Sequence, residues 1–339
     1  MFATPQLILS EDVSSYTNFN VEYLEEKSKR ALTIEEVSVS EFDRIQANRF
    51  SIGYKRKPVW FRFTIYNDSA KMTETILEMT EMFHRTVDLY ATSHNSFKEV
   101  KNGLDIPLSE REIKEVNPSF MLSLKPFETK NIYIRVTSTY SIFGSIQLKK
   151  PKQFLKDTQT YSHMLIFYFG AILIIALYNL FIFLFLKEKI YLYYVGYVLS
   201  FALWVSLYKG LLFYYIDSET FDLLQITVPV LFLMLILFSQ AILETKINFP
   251  DINRILNGFI WLISFGLIVM LIDLHSGLSF MSLCTLFLMP FLLFTAIYTS
   301  SEGYKIAKIY FLVLSISFIG MSLISMLSLG LIPYSILIS

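Results

Sequence analysis

Three side chains in the first half of this chain are of types that recognise small polar molecules. Trp60 and Arg62 stand two apart in Pro58-Val59-Trp60-Phe61-Arg62-Phe63-Thr64-Ile65-Tyr66, and Arg135 stands in Asn131-Ile132-Tyr133-Ile134-Arg135-Val136-Thr137. A spacing of two keeps residues on one face of a strand. Trp60, Arg62, Thr64 and Tyr66 therefore share one face, and Val59, Phe61, Phe63 and Ile65 share the other. A planar aromatic beside guanidinium groups suits a sugar or a carboxylate, through stacking and bidentate hydrogen bonds. The competing assignment is structural: Trp60 packs against a loop, and the arginines pair with Glu78 or Asp88 across a sheet. Tyr90 and Tyr133 carry a weaker form of the same signal, since tyrosine is common on strands.

The second half holds few groups that do chemistry. Asn179 sits in an apolar run, where facing lipid is costly, so a hydrogen bond to another helix is expected. Lys209, in Leu207-Tyr208-Lys209-Gly210, falls several residues inside the outer end of a span. There it either snorkels to the headgroups or meets an acid such as Asp273. His163 and His275 fall near the outer surface, as interfacial or pH-sensitive groups. Pro229 and Pro290 are expected to kink their helices. Metal and redox chemistry find little support. Cys284 is the lone cysteine, and the four histidines (His84, His94, His163, His275) show no HExxH or HxH spacing. No catalytic constellation, phosphoacceptor box, GGDEF loop or P-loop is present, so neither an enzyme nor a cofactor is expected.

These residues sit in two halves of contrasting composition. The chain has 339 residues, with 29 basic and 29 acidic side chains. Of these charges, 43 fall in residues 1–160 and only 15 in residues 161–339. A water-soluble domain joined to a membrane domain is the reading. Zero net charge argues against nucleic acid as a partner. Six apolar runs, at about 162–186, 190–214, 223–243, 255–273, 279–299 and 306–330, are each long enough to cross a hydrocarbon core ~30 Å thick. The first, third and fifth connections carry Lys187, Lys189, Lys246, Arg254, Lys305 and Lys308; the second and fourth carry Asp217, Glu219, Asp222 and Asp273. By the positive-inside rule residue 161 lies outside the cell. Lys149, Lys150, Lys152 and Lys156 count against that orientation, but long folded domains translocate with little regard to charge. Met1 to Gln6 is not an export signal. A seventh span begins in Pro333-Tyr334-Ser335-Ile336-Leu337-Ile338 without room to finish before residue 339.

The soluble half reads as an antiparallel β-sandwich. Strands are expected at 58–66, 73–81, 86–90, 119–124, 131–137 and 144–148, with turns at Asn67-Asp68-Ser69 and Asn102-Gly103. Glu22 to Arg30 reads as helical or irregular. The order of a Pro-Val-Trp-Phe-Arg-Phe strand, an Asn-Asp-Ser turn, a Val-Asp-Leu-Tyr strand and Leu-Lys-Pro-Phe-Glu-Thr before Ile-Tyr-Ile-Arg-Val is distinctive. It resembles the extracellular sensory domain, second type, of bacterial seven-transmembrane receptors with diverse intracellular signalling modules. Val21-Glu22-Tyr23-Leu24-Glu25 and Leu32 to Val37 look like that domain's opening. Gly170, Ala176-Leu177-Tyr178-Asn179-Leu180 and Tyr191-Leu192-Tyr193-Tyr194 look like the family's first two spans.

The resemblance implies a jelly-roll-like sensor over residues 1–150, a juxtamembrane linker over 151–160, and a receptor-type helical domain over 161–339. The expected function is a signal-transduction receptor in a bacterial inner membrane, with its N-terminal domain outside. That domain would bind a small molecule or carbohydrate and couple it to the helical bundle. Output would come from a cytoplasmic signalling protein or through a homodimer. Trp60, Arg62 and Arg135 are the candidate ligand contacts. The alternatives are a truncated, non-signalling membrane scaffold and, with mid-span polar groups limited to Ser, Thr and Asn179, a transporter component.

Overall fold

The structure, a computed structural model, describes residues 4–27, 30–45, 47–93 and 96–335. His94, the first three residues of the export-signal segment and the Ile336–Ile338 end of the seventh apolar run lie outside the described residues. Two compact units are present, one built from Met1–Tyr161 and Gly330–Ser339, the other from Ser162–Leu329.

The first unit is a sandwich of two open sheets. In chain order its elements are β1 (Gln6–Leu9), β2 (Ser15–Tyr16), β3 (Val21–Glu25), the short helix α1 (Ile34–Ser38), β4 (Asp43–Ile45), β5 (Arg49–Tyr54), β6 (Val59–Asn67), β7 (Thr73–Met79), β8 (Thr86–Ser93), β9 (Ser96–Asn102), β10 (Ser119–Leu124), β11 (Thr129–Thr137) and β12 (Ser141–Lys149). The larger sheet runs β4-β3-β6-β11-β8-β9, with β1 parallel to the later half of β6. The smaller runs β10-β7-β12-β2, with β5 also on β12. Val59, Phe61, Phe63 and Ile65 point into the shared core, as their alternation requires, against Leu77, Met79, Phe120 and Ile146 among others. Phe61 meets Phe50 at 4.5 Å between ring centroids, and Phe63 meets Phe19 at 5.2 Å. Each such side chain removed from water contributes roughly 1.5–3 kcal/mol. The turn at Asn67 closes locally, its side-chain oxygen accepting from the Ser69 amide at 3.3 Å.

The reading of Glu22 to Arg30 is corrected. Val21–Glu25 is a strand, paired antiparallel with β6 on one side and β4 on the other. A run of Glu and Lys favours helix locally, but ladder bonds to β6 and a buried ion pair on Glu22 outweigh that weak preference. The helix comes later. Thr33 accepts from the Glu36 amide, and Glu36 reaches back to the Thr33 amide, a reciprocal cap that starts α1.

The second unit is helical. Its elements are α2 (Pro151–Leu186, whose first turns belong to the first unit), α3 (Lys189–Tyr208), α4 (Ser218–Leu224), α5 (Thr227–Ile242), α6 (Thr245–Asn248), α7 (Pro250–Ile272), α8 (Leu274–Ser301) and α9 (Ile306–Ser328). Among the described residues, six helical stretches are long and apolar enough to cross a membrane. Residues 151–160, the expected juxtamembrane linker, are helical and form the start of α2, because proline suits the first position of a helix. At 1.5 Å per residue, a helix of 36 residues is about 54 Å long. Its first turns therefore extend beyond the hydrocarbon. The second span stops at Tyr208, short of the expected 214, because Gly210 takes a left-handed conformation (φ 70°). Pro229 falls in the first turn of α5, where a missing N–H breaks no helical bond, so no kink is required there. Pro290 does lie inside α8.

Candidate functional site

The larger sheet turns a polar and aromatic face away from the sandwich core, and strand register arranges it as a grid. One row runs Leu24, Trp60, Arg135, Asp88, Lys101 across β3, β6, β11, β8 and β9. The next runs Glu22, Arg62, Tyr133, Tyr90, Glu99 across the same strands. The three residues singled out by type and spacing are thus brought together on adjacent strands, with Trp60 directly opposite Arg135.

Each is already engaged. Trp60 is 1% exposed; its indole N–H donates to Glu26 Oε1 at 2.7 Å, and its ring lies 5.5 Å from that of Tyr90. Arg135 approaches the same Glu26 oxygen at 3.5 Å and Asp88 at 3.6 Å, with its guanidinium 6.0 Å from the centre of the Trp60 ring. Arg62 donates through Nε and Nη2 to Glu22 Oε2 at 3.0 and 2.8 Å and lies 4.1 Å over the ring of Phe42. Trp60 and Tyr133 pack with Val37 of α1, and with Leu24, Leu32, Ile34, Phe42, Tyr90 and Phe97, into a small second core. The segment holding α1 thus covers part of this face. Glu78, the other partner considered for the arginines, pairs with Lys149 at 3.0 Å instead.

The electrostatics follow from this packing. Burial raises the Asp88 carboxyl above its ordinary range, while Arg135 and Lys101 pull it back. Burial also pushes the Tyr90 phenol up, and its hydrogen bond to Glu99 at 2.7 Å adds to the shift. Glu22 and Glu26 are the members that reasoning along the chain missed. They lie in a segment with no visible strand period, and only pairing with β6 brings them to Arg62 and Trp60.

A second feature of this unit lies where β12 passes into α2. Lys149 bridges Glu78 at 3.0 Å and Asp157 of α2 at 3.1 Å. Burial alone would lower its pKa, but the two carboxylates raise it above the usual lysine range. Phe154 is buried, and the Lys150 amide bonds to Ser14 O at 2.8 Å. The exit from the sheet is therefore packed and bonded to it.

In the helical unit, a bond from Asn179 to another helix was expected, and among the described residues the bond seen lies within its own helix. Its Nδ2 donates to Ile175 O of its own helix at 2.9 Å. Lys209 caps the end of α3 rather than lying inside the span, with Nζ 5.2 Å from the Tyr208 ring centre. His163 lies on the early turns of α2 and His275 on the first turn of α8. Among the described residues, no group of three His, Cys, Asp or Glu is placed to hold a metal ion.

Two family models match the chain. Residues 161–339 match the model described as 7TM diverse intracellular signalling, and residues 19–150 match 7TMR-DISM extracellular 2. No curated protein matches it.

Proposed function

The chain belongs to the 7TM diverse intracellular signalling receptors, membrane sensory proteins with an extracellular N-terminal domain, and from that premise we propose that the outer face of its larger sheet binds a small polyhydroxylated ligand of the carbohydrate class. The observation that carries this reading is the Trp60–Glu26–Arg135 cluster, in which one buried carboxylate is shared by an indole N–H and a guanidinium beside Asp88 and Tyr90. Carboxylates and a guanidinium offer hydroxyl groups both acceptors and donors, and aromatic rings offer their C–H faces an apolar surface. Trp60 lies beneath the surface, so its role is to hold Glu26 and Arg135 in position. Arg135, Tyr90, Glu99 and Lys101 would meet the ligand. A charge-balanced face favours a neutral or weakly anionic sugar over a strongly charged molecule.

Coupling to the helices would run through Lys149 and the continuous helix that follows Pro151. It requires the ligand to bind two conformations of the receptor with different affinity.

The test is calorimetric titration of the full chain in lipid nanodiscs with a panel of neutral and acidic oligosaccharides. At least one should bind, and Arg135→Ala should weaken it at least tenfold, equal to about 1.4 kcal/mol. Lack of uptake of every glycan, or binding indifferent to Arg135→Ala and Tyr90→Phe, would overturn the reading.

A further inference from the structure

Gly330 to Tyr334 follow α9 in sequence yet pack as part of the β unit. Tyr334 is 5% exposed. Its hydroxyl donates to Glu81 Oε1 at 2.9 Å, lies 3.4 Å from Thr80 Oγ1, and its ring sits 6.2 Å from that of Phe143. Glu81 is itself buried, and a phenol donating to a buried carboxylate is a strong, directional contact.

The surroundings are shaped to receive it. The pairing of β5 with β12 shifts register between Ile142 and Phe143, an irregularity of the kind that re-aims a side chain. Gly144 has φ 142°, and a Cβ there would lie 3.1 Å from the Glu81 Cγ, so glycine leaves room for the glutamate stem. Thr80 is fixed to β12 by bonds in both directions: its amide donates to Ser145 O at 3.0 Å, and its hydroxyl accepts from the Ser145 amide at 3.0 Å. Gly330 has φ 71°, and a Cβ there would stand 3.2 Å from the Gly53 amide nitrogen, so two glycines let these backbones approach.

We propose that Gly330–Tyr334 is a strap, and that Thr80, Glu81 and Phe143 form its docking site on the sensor, tying the outer end of α9 to the domain that begins the chain. Six candidate crossings among the described residues would return the chain to the side from which it entered, with residue 329 on the sensor's side of the membrane. The sensor is then held at both ends of the six-span run. One attachment is covalent, from β12 into α2; the other is Tyr334 in its site. A shift of the 80–84 edge would be transmitted to α9 as well as to α2. This inference rests on membership of the receptor family and on no particular ligand.

Hydrogen exchange of the full chain in nanodiscs, with no ligand added, tests it apart from the carbohydrate reading. Tyr334→Ala should raise exchange at least tenfold in residues 80–84 and 141–145 while leaving 59–66 and 131–136 within twofold of the parent. Tyr334→Phe keeps the ring and loses the hydroxyl, and should give a smaller rise in the same segments. If Tyr334→Ala does not assemble, Tyr334→Phe decides the matter by its own rise at 80–84. Unchanged exchange at 80–84, or a rise spread equally over β6 and β11, would overturn the proposal.

Discussion

Polar side chains are satisfied differently in the two units. On the outer face of the β unit they bond across strands to residues far away in the chain: Arg62 to Glu22, Trp60 to Glu26, and Arg135 to both Glu26 and Asp88. In the helices they mostly fold back on the carbonyl four residues earlier, as Asn179 does to Ile175, Ser206 to Ala202, Ser264 to Ile260, Thr285 to Met281 and Ser315 to Phe311. Ser239, which also bonds Tyr310 of α9, is an exception, as are Gln240, which donates to Asn257 of α7, and Thr245, which donates to Asn253 of α7. Tertiary polar bonds lock one arrangement, because losing a partner strands a buried group. Local bonds leave the helices to be held mostly by packing, with few polar bonds between them. The β unit thus carries a dense set of long-range polar bonds, and the helical unit relies on fewer of them.

The sharpest way to break this contrast is Arg62→Ala. It leaves Glu22, 3% exposed, without the guanidinium that neutralises it, and should cost about 3 kcal/mol in thermal unfolding of the β unit. Replacing both residues with leucine should recover much of that loss, which a double-mutant cycle would measure.

Next comes His84, 1% exposed, with neither ring nitrogen hydrogen-bonded among the described residues and its pKa lowered by burial to about 4. Above pH 6.5 it is neutral whether folded or unfolded and contributes nothing to pH dependence. Between pH 6.5 and about 4 the unfolded chain takes up a proton that the folded one refuses, so stability falls with falling pH. The loss reaches about 3 kcal/mol at most. His84→Leu should remove that share of the acid sensitivity in melts from pH 7 to pH 4, and an unchanged acid slope would count against this account.

In the helical unit, a Cβ on Gly277 would lie 2.4 Å from the Met270 Cα, where α7 turns into α8. Gly277→Ala should cost about 1–3 kcal/mol, read as a lower melting temperature in nanodiscs. The smallest effect belongs to Asn179→Leu. A bond to its own helix predicts a change under about 0.6 kcal/mol, whereas a melting shift of several degrees would reveal an interhelical partner.

Much of the fold was legible along the chain. The alternation at 58–66 assigned Val59, Phe61, Phe63 and Ile65 to the core, and each lies there. Thr33 and Glu36 carry a capping signature that reading along the chain passed over, placing the helical or irregular stretch at Glu22 to Arg30 instead. Less legible was Val21–Glu25, because a strand rich in glutamate acquires its identity from its neighbours. The placement of Trp60 under a covering segment was legible only as one of two alternatives, since alternation says which face a residue takes and not what lies above it. For Lys209, the end of the second span was set by the backbone at Gly210, a signal present in the sequence but weaker than the apolar run continuing past it.

By itself, the sequence determined the division into a charged half and an apolar half, the six spans, and the inward face of β6. These are properties of composition and period, which each segment carries wherever it is placed. Tertiary structure alone decided that Glu22 and Glu26 meet Arg62, Trp60 and Arg135, and that Tyr334 reaches Glu81 across 253 positions of chain. Such pairings depend on strand register and on the return of a distant segment. No local window holds that information, because the bonds that stabilise it form only when the whole sheet is assembled.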